Sequence, residues 1–92
     1  MPKIHIEHPH SLETADVHKK MDEALKGLAA KHDIKITWKD ERNVNLKRSG
    51  LKGNAEIKDS SVVVDLDLSF VLAPLKGKIE ERLRSKLAKE LG

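Results

Sequence analysis

Two groups of side chains in this sequence have the types and the spacing that chemistry requires. His5, Glu7, His8 and His10 cluster near the N-terminus, and imidazoles at such spacing could coordinate a transition metal. Pro9 constrains the loop between the last two histidines, and no other obvious ligand set completes a closed site. We therefore expect no metal and no other cofactor, and interpret these histidines as solvated or loop-forming residues.

Asp65 and Asp67 form the second group, two residues apart on one face of a predicted strand, which is one way in which paired acid-base carboxylates are presented. A small hydrolase or isomerase acting on acyl groups would need His8 or His10 to meet them in one concave pocket. Lysines nearby offer an ordinary explanation, namely solvated cross-strand ion pairs. The sequence contains no nucleophile elbow, phosphate-binding glycine motif or His-Glu metal motif. We expect no catalytic residues, and the enzyme is kept as the alternative.

Composition indicates one small folded domain spanning residues 1–92. Hydrophobic residues make up 38% of the chain and charged residues 36%, and the apolar residues fall in periodic runs. Cysteine is absent, which excludes disulfides and thiolate chemistry and favours a cytoplasmic location. The first residues lack the pattern of a signal peptide, and no apolar run approaches the roughly 18 residues of a membrane span.

The apolar residues change their period along the chain, which predicts the element order β-α-β-β-β-β-α. The first strand is closed by Pro9. The amphipathic helix that follows is expected to take Ser11 as its N-cap and to end near His32-Asp33. Further strands then follow, joined by polar turns and by a connection that contains Gly50 and Gly53.

The C-terminal third has the clearest pattern. Alternating apolar residues predict a strand from Ser61 to Phe70, with Phe70 facing the core, and a basic helix follows over residues 76–91. The apolar stripe of that helix is expected to pack on the core, and it consists of Leu75, Ile79, Leu83, Leu87 and Leu91.

Short turns between four consecutive strands favour an antiparallel meander, and the strand-helix-strand unit adds a right-handed crossover. The result is an α+β, two-layer fold with a five-stranded antiparallel sheet in the order 1-5-4-3-2 and two helices on one face. The fifth strand is therefore expected to be flanked on both sides. The outline is similar to helix-grip folds, which bind hydrophobic ligands.

The last helix is the candidate interaction surface. Residues 1–74 carry twelve charges of each sign, so the net charge of +3 falls on residues 75–92. Lys76, Lys78, Arg82 and Arg84 are the residues expected to bind a ligand or a surface.

A nucleic-acid-binding module is a less favoured alternative. Glutamates interrupt the basic helix, and both aromatic residues, Trp38 and Phe70, are expected to face inward, where they cannot stack on bases. An apolar, anionic surface is another possible partner, because Phe70–Leu75 followed by alternating Lys and Arg could seat an amphipathic element on it, but a small domain needs those leucines for its own core.

Four segments resemble a known family. They are Ile6–Leu12, the strand around Trp38, Gly50–Gly53 and Phe70–Glu81, and together they are similar to the small bacterial proteins of the polyhydroxyalkanoic acid system. The resemblance spans nearly the whole chain. It implies a cytoplasmic protein connected with polyhydroxyalkanoate granules, and no catalytic residues are carried over with it.

These observations together favour a non-enzymatic accessory or binding protein of polyhydroxyalkanoate storage. Its expected partner is an apolar ligand held between helix and sheet, the granule surface or a granule protein. The protein itself is expected to be a monomer or a weak dimer.

Overall fold

The computed structural model describes residues 2–92 and contains a two-layer α+β fold. The elements, in chain order, are β1 (Lys3–Pro9), α1 (Thr14–His32), β2 (Lys35–Trp38), β3 (Asn43–Arg48), β4 (Leu51–Ile57), β5 (Ser61–Leu68), a 3₁₀ turn (Ala73–Leu75) and α2 (Lys76–Leu91). The strands form one antiparallel sheet in the order β1-β5-β4-β3-β2. The predicted fold class and strand order are confirmed, and β5 is flanked by β1 and β4.

Strand alternation gives the sheet one apolar face and one polar face, because successive side chains point to opposite sides. The buried residues of the strands are Ile4, Ile6, Val44, Leu46, Leu51, Ala55, Ile57, Val62, Val64, Leu66 and Leu68. Both helices pack on this face, and their buried residues are Val17, Met21, Leu25, Leu87 and Leu91. Each large aliphatic side chain that is fully buried contributes roughly 1.5–3 kcal/mol.

The first helix begins later than the sequence suggested. Its N-cap is Glu13, and no side chain caps it, so the prediction of Ser11 as N-cap is wrong. The buried ring of His10 explains the difference: Nε2–H donates to the Lys58 carbonyl at 2.9 Å, and Nδ1 accepts the Leu12 amide at 3.2 Å. These two bonds hold residues 10–12 in a turn, and the helix can start only after it.

The hairpin between β3 and β4 is tighter than predicted. Only Ser49 and Gly50 lie between the two strands, and Gly50 has a φ of 84°, a conformation that favours glycine. Gly53 lies inside β4, where a Cβ atom would overlap the Leu66 side chain and approach the Asp65 carbonyl oxygen to 2.7 Å. Its assignment to the connection is therefore wrong, and close contact between β4 and β5 requires glycine there.

β5 ends at Leu68, before the predicted end at Phe70. Its neighbour β4 begins at Leu51, directly opposite Leu68, so no strand continues beyond that point to pair with it. The Ser69 amide then donates to the Gly50 carbonyl at 2.9 Å, and the chain turns away from the sheet. Phe70 is 86% exposed, so the prediction that it faces the core is wrong.

The last helix covers the sheet unevenly. Leu87 and Leu91 are buried, Ile79 and Leu83 are half-buried, and Leu75, just before the helix, is 46% exposed. Residues four apart rotate by roughly 40° around a helix, so this stripe winds as it proceeds. The expectation that the whole stripe packs on the core is wrong at Leu75.

Candidate functional site

The fold separates His8 and His10 from the two aspartates. Asp65 and Asp67 are exposed on the polar face of the sheet. His8 lies on the apolar side of β1, where its Nε2 is buried without a hydrogen-bond partner, and His10 is buried against the β4–β5 turn. The predicted pocket in which His8 or His10 meets Asp65 or Asp67 is therefore not formed. Within residues 2–92, no group of three or more His, Asp or Glu side chains is placed to hold a metal ion.

His5 does meet an aspartate, and sequence reasoning missed this pair. The register of β1 against β5 puts His5 opposite Asp65, and Nδ1 lies 2.5 Å from Oδ1. The pair sits in an open groove of about 460 Å³ on the polar face, between β1, β5 and β4. None of the residues that line the groove is a serine, threonine or cysteine, and both side chains of the pair are more than half exposed. Such a solvated pair contributes about 0–1 kcal/mol, and no hydroxyl or thiol side chain lines the groove beside it.

Two carboxylates with lowered pKa values serve local structure. Asp22 accepts hydrogen bonds from the Lys26 side chain and from the Trp38 indole N–H. These bonds lower the pKa of Asp22, and the bond from Lys26 has the larger effect. The pKa of Asp40, in the turn between β2 and β3, is lowered by hydrogen bonds from the backbone amide of Arg42 and from the side chain and backbone amide of Asn43. The first arrangement fastens β2 to α1, and the second fixes the turn.

The interior between the helices and the sheet is nearly closed. Its cavity has a volume of about 30 Å³ and is lined by apolar residues of α1, the sheet and α2, together with Lys86. One water molecule occupies roughly this volume in the liquid, whereas pockets that bind small molecules measure about 300–1,000 Å³. An apolar ligand between helix and sheet does not fit this conformation.

The exposed apolar residues lie together between β5 and α2. Phe70 is 86% exposed, Val71 82% and Leu75 46%, and these are the large hydrophobic side chains exposed within residues 2–92. We call residues 70–75 the apolar loop. The amide of Leu68, just before it, donates to the Pro2 carbonyl at 2.9 Å, and the following amide is bonded to the β3–β4 turn. Phe70 and Val71 therefore project into solvent while Leu72 of the same loop packs against the core. Exposed apolar side chains that cluster in this way are candidates for an interaction site.

The four basic residues predicted as a surface-binding site are all exposed but do not form one surface. Lys76 and Lys78 lie beside the apolar loop, in the first turn of α2. Arg82 follows one turn after Lys78, and Arg84 lies roughly 160° around the helix from Arg82. Lys76 and Lys78 therefore belong with the loop, while Arg84 projects from another side.

The sheet end that carries the apolar loop also gathers eight of the eighteen lysines and arginines. We define this basic end as residues 2–3, 31–35, 47–52 and 67–78, because β1, β2, β4 and α2 begin there and α1, β3 and β5 end there. Its cations are Lys3, Lys31, Lys35, Lys47, Arg48, Lys52, Lys76 and Lys78. Only Asp33 and Asp67 oppose them, so the net charge of this end is +6, against +3 for the chain.

The basic end is a property of the fold, because its cations come from separate parts of the sequence. The rest of the chain carries a net charge of −3, so the molecule is strongly polarised along the strands. Counting along the sequence placed the whole net charge on the last helix. In the structure, the positive charge of the basic end comes from both helices and from four of the five strands.

These features define a small two-layer α+β domain with an exposed apolar loop in a basic end. The family described as "Putative polyhydroxyalkanoic acid system protein" matches residues 4–91, and the chain belongs to it. The resemblance seen in the sequence is thereby confirmed. Comparison with curated proteins and with solved structures gave no match. Within residues 2–92, neither helix is long and apolar enough to cross a membrane.

Proposed function

We propose that this protein is a non-enzymatic accessory protein of the polyhydroxyalkanoate system that binds the granule surface in the cytoplasm through its apolar loop. The observation that carries the proposal is the exposure of Phe70 and Val71 on a loop whose start is fixed by backbone hydrogen bonds. Membership of the family supplies the connection with polyhydroxyalkanoate.

The structure favours a surface over an internal ligand. The cavity under the helices has room for about one water molecule, so an acyl chain has no place there. Burying an exposed Phe or Val side chain against an apolar surface releases roughly 1.5–3 kcal/mol each. Phe70 and Val71 together would therefore contribute roughly 3–6 kcal/mol to reversible attachment.

Co-sedimentation with purified granules tests the proposal. The variant Phe70→Ser/Val71→Ser removes the apolar contact and should bind at least about 100-fold more weakly than wild type. The matched control is Ala15→Ser/Ala88→Ser, which changes two exposed residues outside the basic end.

Circular dichroism should show that both variants are folded, since all four positions are exposed. Equal sedimentation of the loop variant and wild type would contradict the proposal, as would failure of wild type to sediment with granules.

A further inference from the structure

A row of lysines crosses the polar face of the sheet at the basic end. Strand register places Lys3 opposite Asp67, Asp67 opposite Lys52, Lys52 opposite Lys47, and Lys47 opposite Lys35. The row therefore takes one residue from every strand, and all five are exposed. We call these residues the lysine row.

The lysine row is not explained by the stability of the sheet. Lys35, Lys47 and Lys52 are direct neighbours on adjacent strands, and like charges placed opposite one another destabilise a sheet. Among residues 2–92, these three lysines take part in no ion pair, whereas Nζ of Lys3 lies 3.9 Å from Oδ1 of Asp67. Lys52 has Asp67 on its other side, whereas Lys35 and Lys47 have no acidic neighbour in the row. The row therefore carries an excess of positive charge that an anionic partner outside the chain would neutralise.

The lysine row and the apolar loop lie at the same end of the molecule. Asp67 of the row is followed by the last residue of β5, and the loop begins at Phe70. On the other side of the loop, α2 begins with Lys76 and Lys78 on the helix layer. Positive charge therefore flanks the apolar residues on both sides, as in proteins that insert side chains among lipids and place cations at the headgroups.

Charge and shape distinguish between the partners that such a surface could bind. A second copy of the protein joined through its own basic end would place a net charge of +6 against a net charge of +6, and this repulsion opposes a dimer. Nucleic acid would use aromatic stacking, but two of the three exposed apolar side chains, Val71 and Leu75, are aliphatic. Anionic phospholipid satisfies both features, because it offers acyl chains beneath a negatively charged surface.

We propose that the basic end binds anionic phospholipid surfaces, with the apolar loop among the acyl chains and the lysine row against the headgroups. The inference rests on the proposed function in its use of the loop. It adds a requirement for negative charge at the surface that the protein recognises.

Vesicle sedimentation tests this requirement. Wild type should bind vesicles of phosphatidylglycerol mixed with phosphatidylcholine far more tightly than vesicles of phosphatidylcholine alone, and added salt should weaken the binding. Each lysine near such a surface contributes a factor of about five, so Lys47→Glu/Lys52→Glu should bind the mixed vesicles at least about 30-fold more weakly. Phe70→Ser should also reduce binding.

The matched control is Lys39→Glu/Lys58→Glu, which makes the same change in net charge at the opposite end of the sheet. It should stay within roughly threefold of wild type, since charges beyond the Debye length are screened. Equal loss of binding by both double variants would overturn the role of the row. Equal binding to the two kinds of vesicle, or binding that Phe70→Ser leaves unchanged, would overturn the proposal in favour of a non-lipid partner.

The two proposals can fail separately. Granule binding that needs Phe70, without a preference for anionic vesicles, would contradict only the lipid inference. Binding to anionic vesicles without binding to granules would contradict only the proposed function.

Discussion

The substitution Lys47→Glu should stabilise the free protein while weakening its binding to an anionic surface. Lys47 lies between Lys35 and Lys52 on neighbouring strands. Glutamate there replaces two repulsive cross-strand pairs with two attractive pairs, and such pairs are worth roughly 0.2–1 kcal/mol each. Because the three side chains are exposed, we take the lower part of this range and expect a gain of about 1 kcal/mol in the free energy of unfolding at low salt.

Urea unfolding followed by circular dichroism measures this gain. It should shrink in about 1 M NaCl, where the Debye length falls to roughly 3 Å. Lys39→Glu is the matched control, since it makes the same charge change beside Asp40, whose lowered pKa depends in part on Lys39, and it should give no gain. An unchanged or lower stability of Lys47→Glu at low salt would refute the argument that the row is under repulsion, as would an equal gain in the control.

Three further predictions concern packing, exposure and pH. Gly53→Ala should cost about 2 kcal/mol, because its methyl group would meet the backbone of β5. Gly27→Ala, with its nearest neighbouring atom 3.9 Å away, should stabilise α1 by up to about 1 kcal/mol. The two variants should shift the urea midpoint in opposite directions, and a Gly53→Ala variant as stable as wild type would contradict this prediction. Leu87→Ala should cost about 2–4 kcal/mol and Phe70→Ser less than about 0.5 kcal/mol, since only the first side chain is buried; equal thermal unfolding losses would disprove this assignment. Asp22 has a lowered pKa in the folded state, so its stabilising effect is complete at neutral pH and is lost as the pH falls through that lowered pKa. Asp22→Asn should be less stable than wild type at pH 7, and a difference that persists unchanged in acid, where Asp22 is protonated in both states, would argue against this linkage.

Much of the fold is predictable from the sequence because its signals are local. Alternation in the strands, the amphipathic helices and the short turns each depend on neighbouring residues, and only one sheet order satisfies them together. The predictions of element boundaries were wrong where a contact between residues far apart in the sequence overrode the local pattern. The ring of His10 delays the first helix by holding the backbone of residues 10–12, and β5 ends where its partner strand runs out.

The candidate site was less predictable, because its charges come from all parts of the chain. The basic helix was visible in the sequence, but only two of its four predicted residues, Lys76 and Lys78, adjoin the apolar loop. The apolar loop itself looked like core, since hydrophobic residues ordinarily predict burial. The lysine row and the His5–Asp65 pair depend on strand register, which no local pattern records.

The sequence by itself determined the α+β class, the strand order, the apolar face of the sheet and the resemblance to a family. Periodicity decides these features, because a side chain's position on a strand or helix fixes the face on which it lies. Only the tertiary structure decided that Phe70 and Val71 are exposed, that the interior is nearly closed, and that lysines from three neighbouring strands stand side by side. Those features arise from where strands end and how they align, and such relations exist only once the sheet has formed.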